Sequence, residues 1–116
     1  SPLHVRQVLQ NLLSNAVRYN RVGGEIFLSV RETARTEETV AYEFVVRDTG
    51  VGMSEAFQQR AFEPFAQEDA SARSSYTGTG LGLAIVKHIA LLHDAKIDLQ
   101  SQVGTGTTIR VTFPKG

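Results

Sequence analysis

Cysteine and tryptophan are absent from the 116 residues, methionine occurs once and proline three times. Without cysteine there is no disulfide framework, no thiolate zinc site and no thiol nucleophile, and a reducing compartment fits. Neither sign of charge is in excess, because 12 Lys and Arg balance 12 Asp and Glu. That balance removes the basic footprint of a nucleic-acid module. No apolar run approaches the roughly 20 residues of a membrane span, and the first residues lack the charged and apolar regions of a signal peptide. What is present is 41% hydrophobic residues. A chain of this size and composition is expected to form one soluble domain burying roughly 65% of its unfolded surface. It starts at Ser1 directly before a helical pattern and stops at Gly116 just after a strand pattern, as an excised domain would.

Val5, Val8, Leu9, Leu12 and Ala16 fall at the spacing of one helix face, which predicts an amphipathic helix from Leu3 to Tyr19. Asn20, Gly23 and Gly24 end it. Glu25 to Arg31 alternates, with Ile26, Leu28 and Val30 on one side of a half-buried strand. The polar run Glu32 to Thr39 reads as a hairpin loop before a second strand, Val40 to Asp48, paired antiparallel to the first. A turn from Thr49 to Met53 leads to Ser54, the expected N-cap of a short helix through about Phe62. Glu63 to Gly80 has no period, and a loop of this length is more often functional than connective. Leu81 to His93 reads as a second core helix, followed by strands Lys96 to Val103 and Thr107 to Phe113. The order predicts an α+β fold, a two-layer sandwich with helices on one face of a mixed, mostly antiparallel sheet.

Several residues are not explained by a core. Asn11, Asn15 and Arg18 lie at i, i+4 and i+7, on one stripe of the first helix. A solvated helix edge is the plain reading. Neutral amide oxygens, however, suit a magnesium ion whose other ligands are water and phosphate, and Arg18 can meet the same phosphates. Asp48 shares the parity of Phe44 and Val46, so its carboxylate points toward the core and needs a partner. Thr107, on the parity of Ile109, Val111 and Phe113, also points inward. A hydrogen bond between the two is one account. The other has Asp48 accept a hydrogen bond from an adenine amino group, supported by Thr107 directly or through water. Gly50 and Gly52 then let backbone approach a flat base.

Gly78-Thr79-Gly80-Leu81-Gly82-Leu83 enters the second core helix, whose free amides and dipole can bind phosphate. It is neither a Walker loop nor a Rossmann fingerprint. His4, His88 and His93 lack metal-ligand spacing. Phe57, Phe62 and Phe65 read as core, and Ser71, Ser74 and Ser75 have no triad partners.

In this order the segments resemble the ATP-binding catalytic domain of sensor histidine kinases, the Bergerat-type fold shared with gyrase, heat-shock chaperone ATPases and MutL. Asn11 to Tyr19 is similar to the family's N box, Asp48 to Met53 to its first glycine box, and Phe62-Glu63-Pro64-Phe65 to its F box. Gly78 to Leu83 resembles the second glycine box and Gly104 to Thr108 the closing one. The resemblance implies ATP and Mg2+ as ligands. Asn15 holds magnesium, Asn11 assists at the phosphates and Arg18 meets the phosphate chain, making Asn15 and Arg18 the catalytic pair. Tyr19 packs against adenine, Asp48 reads its amino group, and Gly50, Gly52 and Met53 form the pocket wall. The stretch from about Gln67 to Gly80 is implied to be a mobile lid anchored by Phe62 and Phe65, with the amides after Gly78 on the phosphates.

The expected partners are a helical phosphoacceptor and dimerisation domain and, downstream, a response regulator. No phosphoacceptor His box occurs, so the chain alone is not expected to phosphorylate itself. A monomeric cytoplasmic fragment of a homodimeric parent, with or without a membrane anchor, is implied. The family usually has a strand and an Asp just before the first helix, and Ser1-Pro2 begins after or at that point, so one sheet edge is expected to be missing; Ile109 stands where an aromatic is common. Rival readings are a serine kinase of the anti-sigma type, a non-catalytic nucleotide-binding or interaction module, and a gyrase-like or chaperone-like ATPase.

Overall fold

A computed structural model describes residues 2–35, 40–64 and 82–115. Helix α1 (Pro2–Arg18) opens the chain and turns Val8, Leu12 and Ala16 into the core. Arg18 in its last turn meets the negative end of the helix dipole. Strands β1 (Ile26–Arg35) and β2 (Val40–Asp48) pair antiparallel. Each is extended beyond or up to the limits the alternation set, so the polar run expected from Glu32 as a loop is strand as far as Arg35. Helix α2 (Glu55–Gln58), helix α3 (Gly82–Leu92) and strands β3 (Lys96–Gln102) and β4 (Gly106–Lys115) follow.

The sheet order is β1-β2-β4-β3, and every described pair is antiparallel. Helices α1 and α3 pack together over one face, where Phe44, Val46, Ile109, Val111 and Phe113 are buried. The Phe44 and Phe113 rings meet edge to face with centroids 5.6 Å apart, a favoured aromatic geometry. No helix among the described residues is long and apolar enough to cross a membrane.

Two expectations are corrected. Ile26, Leu28 and Val30 do share a face, yet Leu28 and Val30 are 48% and 52% exposed. The reason is topological: β1 is the edge strand, and the helices cover the sheet only from β2 inward. Helix α2 stops at Gln58 and does not reach Phe62. Its Ser54 cap forms as expected, with Oγ accepting from the Phe57 amide at 3.2 Å. Beyond Gln58 the chain tightens into three-residue turns, Arg60 N to Phe57 O and Glu63 N to Arg60 O, which bury Ala61 and lay Phe62 against the core.

The opposite face of the sheet is polar. Glu43 is buried there between arginines, accepting from Arg31 Nε at 2.8 Å and lying 3.1 Å from Arg110 Nε without hydrogen-bond geometry. Arg47 covers the Phe27 ring at 4.5 Å, which shields an otherwise exposed aromatic.

Candidate functional site

The register brings three inward polar residues into one row across the sheet. Asp48 at the end of β2 pairs with Thr107 on β4, and Thr107 pairs with Ser101 on β3. Asp48 and Thr107 are each 5% exposed, as the parity argument required. The Asp48 carboxylate accepts from the Gly50 amide at 2.9 Å and from the Thr107 backbone. Burial nevertheless pushes its carboxyl above the ordinary value of 3.8, against the lowering effect of those two bonds. Side-chain contact to Thr107 comes from Ser101, whose Oγ is 2.7 Å from Thr107 Oγ1.

On α1 the amide stripe forms as the spacing predicted. Asn15 is buried at 7% exposure, which the plain reading of a solvated edge does not account for. Asn11 Nδ2 is buried with no hydrogen-bond partner among the described residues. Such an atom costs about 1–3 kcal/mol unless an acceptor fills its valence. A Cβ built at Gly82, the first residue of α3, would lie 3.9 Å from Asn11 Oδ1, so the start of that helix faces this amide. The Arg18 guanidinium lies 5.7 Å over the Tyr19 ring.

Three loops that end at this place are stitched together. The Val51 amide donates to Tyr19 O at 3.0 Å, and Gly104 N to Val51 O at 2.9 Å. Arg21 Nη2 donates both to Gly50 O at 2.6 Å and to Gly104 O at 2.9 Å. Glycine is required here by protein packing as well as by any ligand. A Cβ at Gly50 would sit 2.2 Å from Tyr19 O, and one at Gly52, where φ is +74°, 2.1 Å from Gln102 O. Met53 is buried behind the loops, its amide held by Ser101 Oγ at 2.7 Å.

Of the residues expected at the site, Asn11, Asn15, Arg18, Tyr19, Asp48, Gly50, Gly52, Met53, Phe62, Gly82, Leu83 and Thr107 are described. Phe65, Gly78, Thr79, Gly80 and Leu81 lie outside the described residues, as does the stretch expected to act as a lid. Leu83 is buried in the core. Sequence reasoning missed Arg21, Gln58 and Ser101. For Ser101 a signal existed, since it shares the inward parity of Ile97 and Leu99 as Asp48 shares that of Val46. It also missed the pairing of His4 Nδ1 with His93 Nε2 at 2.8 Å, which ties α1 to the end of α3.

A cavity of about 600 Å³ between α1 and the sheet, lined by residues such as Val5, Leu9, Tyr42 and Phe113, does not include Asp48. A shallower depression of about 350 Å³ at the other end of the strands has Asp48, Ser101 and Thr107 in its wall. The larger cavity is apolar and lacks the carboxylate, the smaller one holds it, and Asn11 and Asn15 line neither.

A two-layer sandwich with a buried carboxylate at a strand end, facing an amide-bearing helix, defines a class of nucleotide-binding domain. Residues 1–116 match the family model described as histidine kinase-, DNA gyrase B-, and HSP90-like ATPase, and the chain belongs to that family. It is 44% identical over 115 residues to the circadian input-output histidine kinase CikA of Synechococcus elongatus, covering 98% of this chain and 14% of that protein. It is 39% identical over 107 residues to the sensor-like histidine kinase SenX3 of Mycolicibacterium smegmatis, covering 92% of this chain and 27% of that one. Among solved structures, the mycobacterial sensor histidine kinase MprB superposes with a TM-score of 0.77 at 30% identity, over 99% of this chain and 74% of that one. Full-length ShkA, solved in complex with AMPPNP, superposes with a TM-score of 0.74 at 30% identity, over 97% and 22% of the two chains. The chain is thus a domain of this ATPase family that is similar to the corresponding part of sensor histidine kinases, and it spans a minor part of these curated relatives.

Proposed function

We propose that this chain binds Mg-ATP and presents the γ-phosphate to a histidine on a separate helical phosphoacceptor domain, from which a response regulator receives it. The observation that carries the reading is the pair of a buried Asp48 and an Asn11 Nδ2 that is buried without a partner among the described residues. Asp48 is an acceptor whose burial outweighs its two backbone hydrogen bonds, and Asn11 Nδ2 is a donor with no partner among the described residues. An adenine amino group completes the first and a phosphate oxygen the second.

Phosphoryl transfer asks mainly for positioning and charge neutralisation, so a domain without a nucleophile serves as the catalytic one. The acceptor histidine supplies the nucleophilic nitrogen, and ADP leaves as its bond to the γ-phosphorus breaks. Asp48 accepts from the adenine amino group, with Thr107 beside it. Tyr19, Gly50, Gly52 and Met53 wall the base. Asn11 donates to the phosphates, and Arg18, released from Tyr19, balances their charge. A magnesium ion, when bound, draws off negative charge from the β- and γ-phosphates. The neutral carbonyl oxygen of Asn15 is the donor on this chain that suits it, the remaining ligands being water and phosphate. In this reading Phe62 and Phe65 anchor the lid expected from about Gln67 to Gly80, and the amides after Gly78 meet the phosphates.

The kinase acts as one unit of a larger, dimeric, cytoplasm-facing sensor protein and is not competent for self-phosphorylation by itself. Calorimetric titration with a non-hydrolysable ATP analogue, with GTP as control, is expected to give saturable, adenine-selective binding strengthened by magnesium. No binding at millimolar analogue overturns the proposal. In Asn15→Ala the loss is expected to be larger with magnesium than without, and an equal loss removes Asn15 from the metal. Adding the phosphoacceptor domain is expected to place label on His; label on Ser identifies a serine kinase instead.

A further inference from the structure

We infer that Ser101 is a positioning residue for purine selection: it fixes the hydroxyl of Thr107, and through it the hydrogen-bonding pattern that the pocket shows to the base. The inference rests on the nucleotide reading above and goes beyond it, because Ser101 itself touches no ligand there.

The argument is one of valence. A serine hydroxyl has one proton and two lone pairs. One lone pair of Ser101 Oγ takes the Met53 amide at 2.7 Å. The proton and the second lone pair are left for Gly106 O at 3.0 Å and Thr107 Oγ1 at 2.7 Å. All three contacts together saturate the hydroxyl. Thr107 therefore has no free rotor, and its proton and lone pairs have assigned directions. Register reinforces this, since Thr107 lies between Asp48 and Ser101 in one row. The row is clamped from the side: Gln58 Nε2 donates to Met53 O at 2.9 Å and to Ser101 O at 3.1 Å. Ser101 thus sets the Thr107 hydroxyl and the Met53 wall of the same pocket.

Adenine and guanine differ in whether the base offers a donor or an acceptor beside Asp48. A fixed Thr107 hydroxyl discriminates between them, whereas a rotating one adapts to either. Ser101→Ala removes the restraint while leaving Asp48 and Thr107 in place.

Binding of non-hydrolysable ATP and GTP analogues to the full chain, read as the ratio of their Kd values, tests this. In Ser101→Ala the preference for adenine is expected to narrow by about three- to ten-fold, the effect of one neutral hydrogen bond. Ser101→Thr, which keeps the hydroxyl, is expected to restore it. A role in folding alone weakens both nucleotides equally, and an unchanged ratio overturns the proposal. If Ser101→Ala does not fold, Ser101→Cys, nearly isosteric with a poor hydrogen-bonding group, is read by the same ratio. Failure of the unaltered protein to bind adenine selectively overturns the nucleotide reading and this one together. Selective binding with an unmoved ratio in the variants overturns the role of Ser101 alone.

Discussion

Asp48→Asn is expected to weaken ATP-analogue binding by about 1–3 kcal/mol, roughly 5- to 150-fold, the range for losing a charge-assisted hydrogen bond. The side chain keeps its shape, but an amide directs a donor where the adenine amino group needs an acceptor. Unchanged affinity would sink the adenine assignment. The same carboxylate gives the protein a pH dependence whose sign is fixed. Burial raises the Asp48 pKa in the folded state above 3.8, so the folded chain holds this proton more tightly than the unfolded one. Its contribution to stability is fully present below about 3.8 and is lost as pH rises through the raised folded value. Denaturation of the unaltered protein and of Asp48→Asn across that window isolates the contribution: their stability difference is expected to shift against the unaltered protein as pH increases. Nucleotide affinity runs the opposite way, since only the ionised carboxylate is an acceptor at both oxygens. Affinity that rises with pH in the unaltered protein and is flat over the same range in Asp48→Asn is the expected signature.

The parts legible in the sequence are those that depend on period alone. Seventeen residues of α1 repeat the helix spacing clearly, and the inward placement of Asp48 and Thr107 follows from alternation along a strand. Burial of Leu28 and Val30 does not follow, because alternation says which residues share a face and not whether a helix lies over it. Only the order β1-β2-β4-β3 reveals that this face is uncovered at the edge. Ser101 had the right parity, yet its importance comes from register, which sets it opposite Thr107. Register between strands separated by a turn is a tertiary fact. The glycines show the same limit: both readings of Gly50 and Gly52 need a residue without Cβ, and only the packed loops reveal that Tyr19 O and Gln102 O already occupy the space. Arg21 was invisible for a related reason, since its two acceptors are brought together from positions 50 and 104.

Leu12→Ala is expected to cost about 2–5 kcal/mol of folding stability, the range for emptying a large aliphatic site in a packed core. Leu12 is 1% exposed and lies on the inner stripe of α1, between the two asparagines in sequence. The cost falls on the helix that carries the two amides proposed to meet the ligand, but the amides themselves are untouched. Folded Leu12→Ala molecules are therefore expected to keep the affinity of the unaltered protein, and ligand to restore stability by mass action. At a free nucleotide concentration of 100 times Kd the gain is about 2.7 kcal/mol, enough to offset the lower end of the cavity cost. Combining Leu12→Ala with Asp48→Asn separates the two roles. At the same nucleotide concentration the double variant is expected to lose about 0.9–2.4 kcal/mol of the rescue, because Kd has risen and the ratio of ligand to Kd has fallen. Thermal denaturation of the single and double variants, with and without Mg-ATP analogue, reads this directly. Equal rescue in both places the ligand away from Asp48. No rescue in either means that the cavity at Leu12 has displaced α1 and its amides, so that the apolar and the polar stripes of this helix cannot be altered independently.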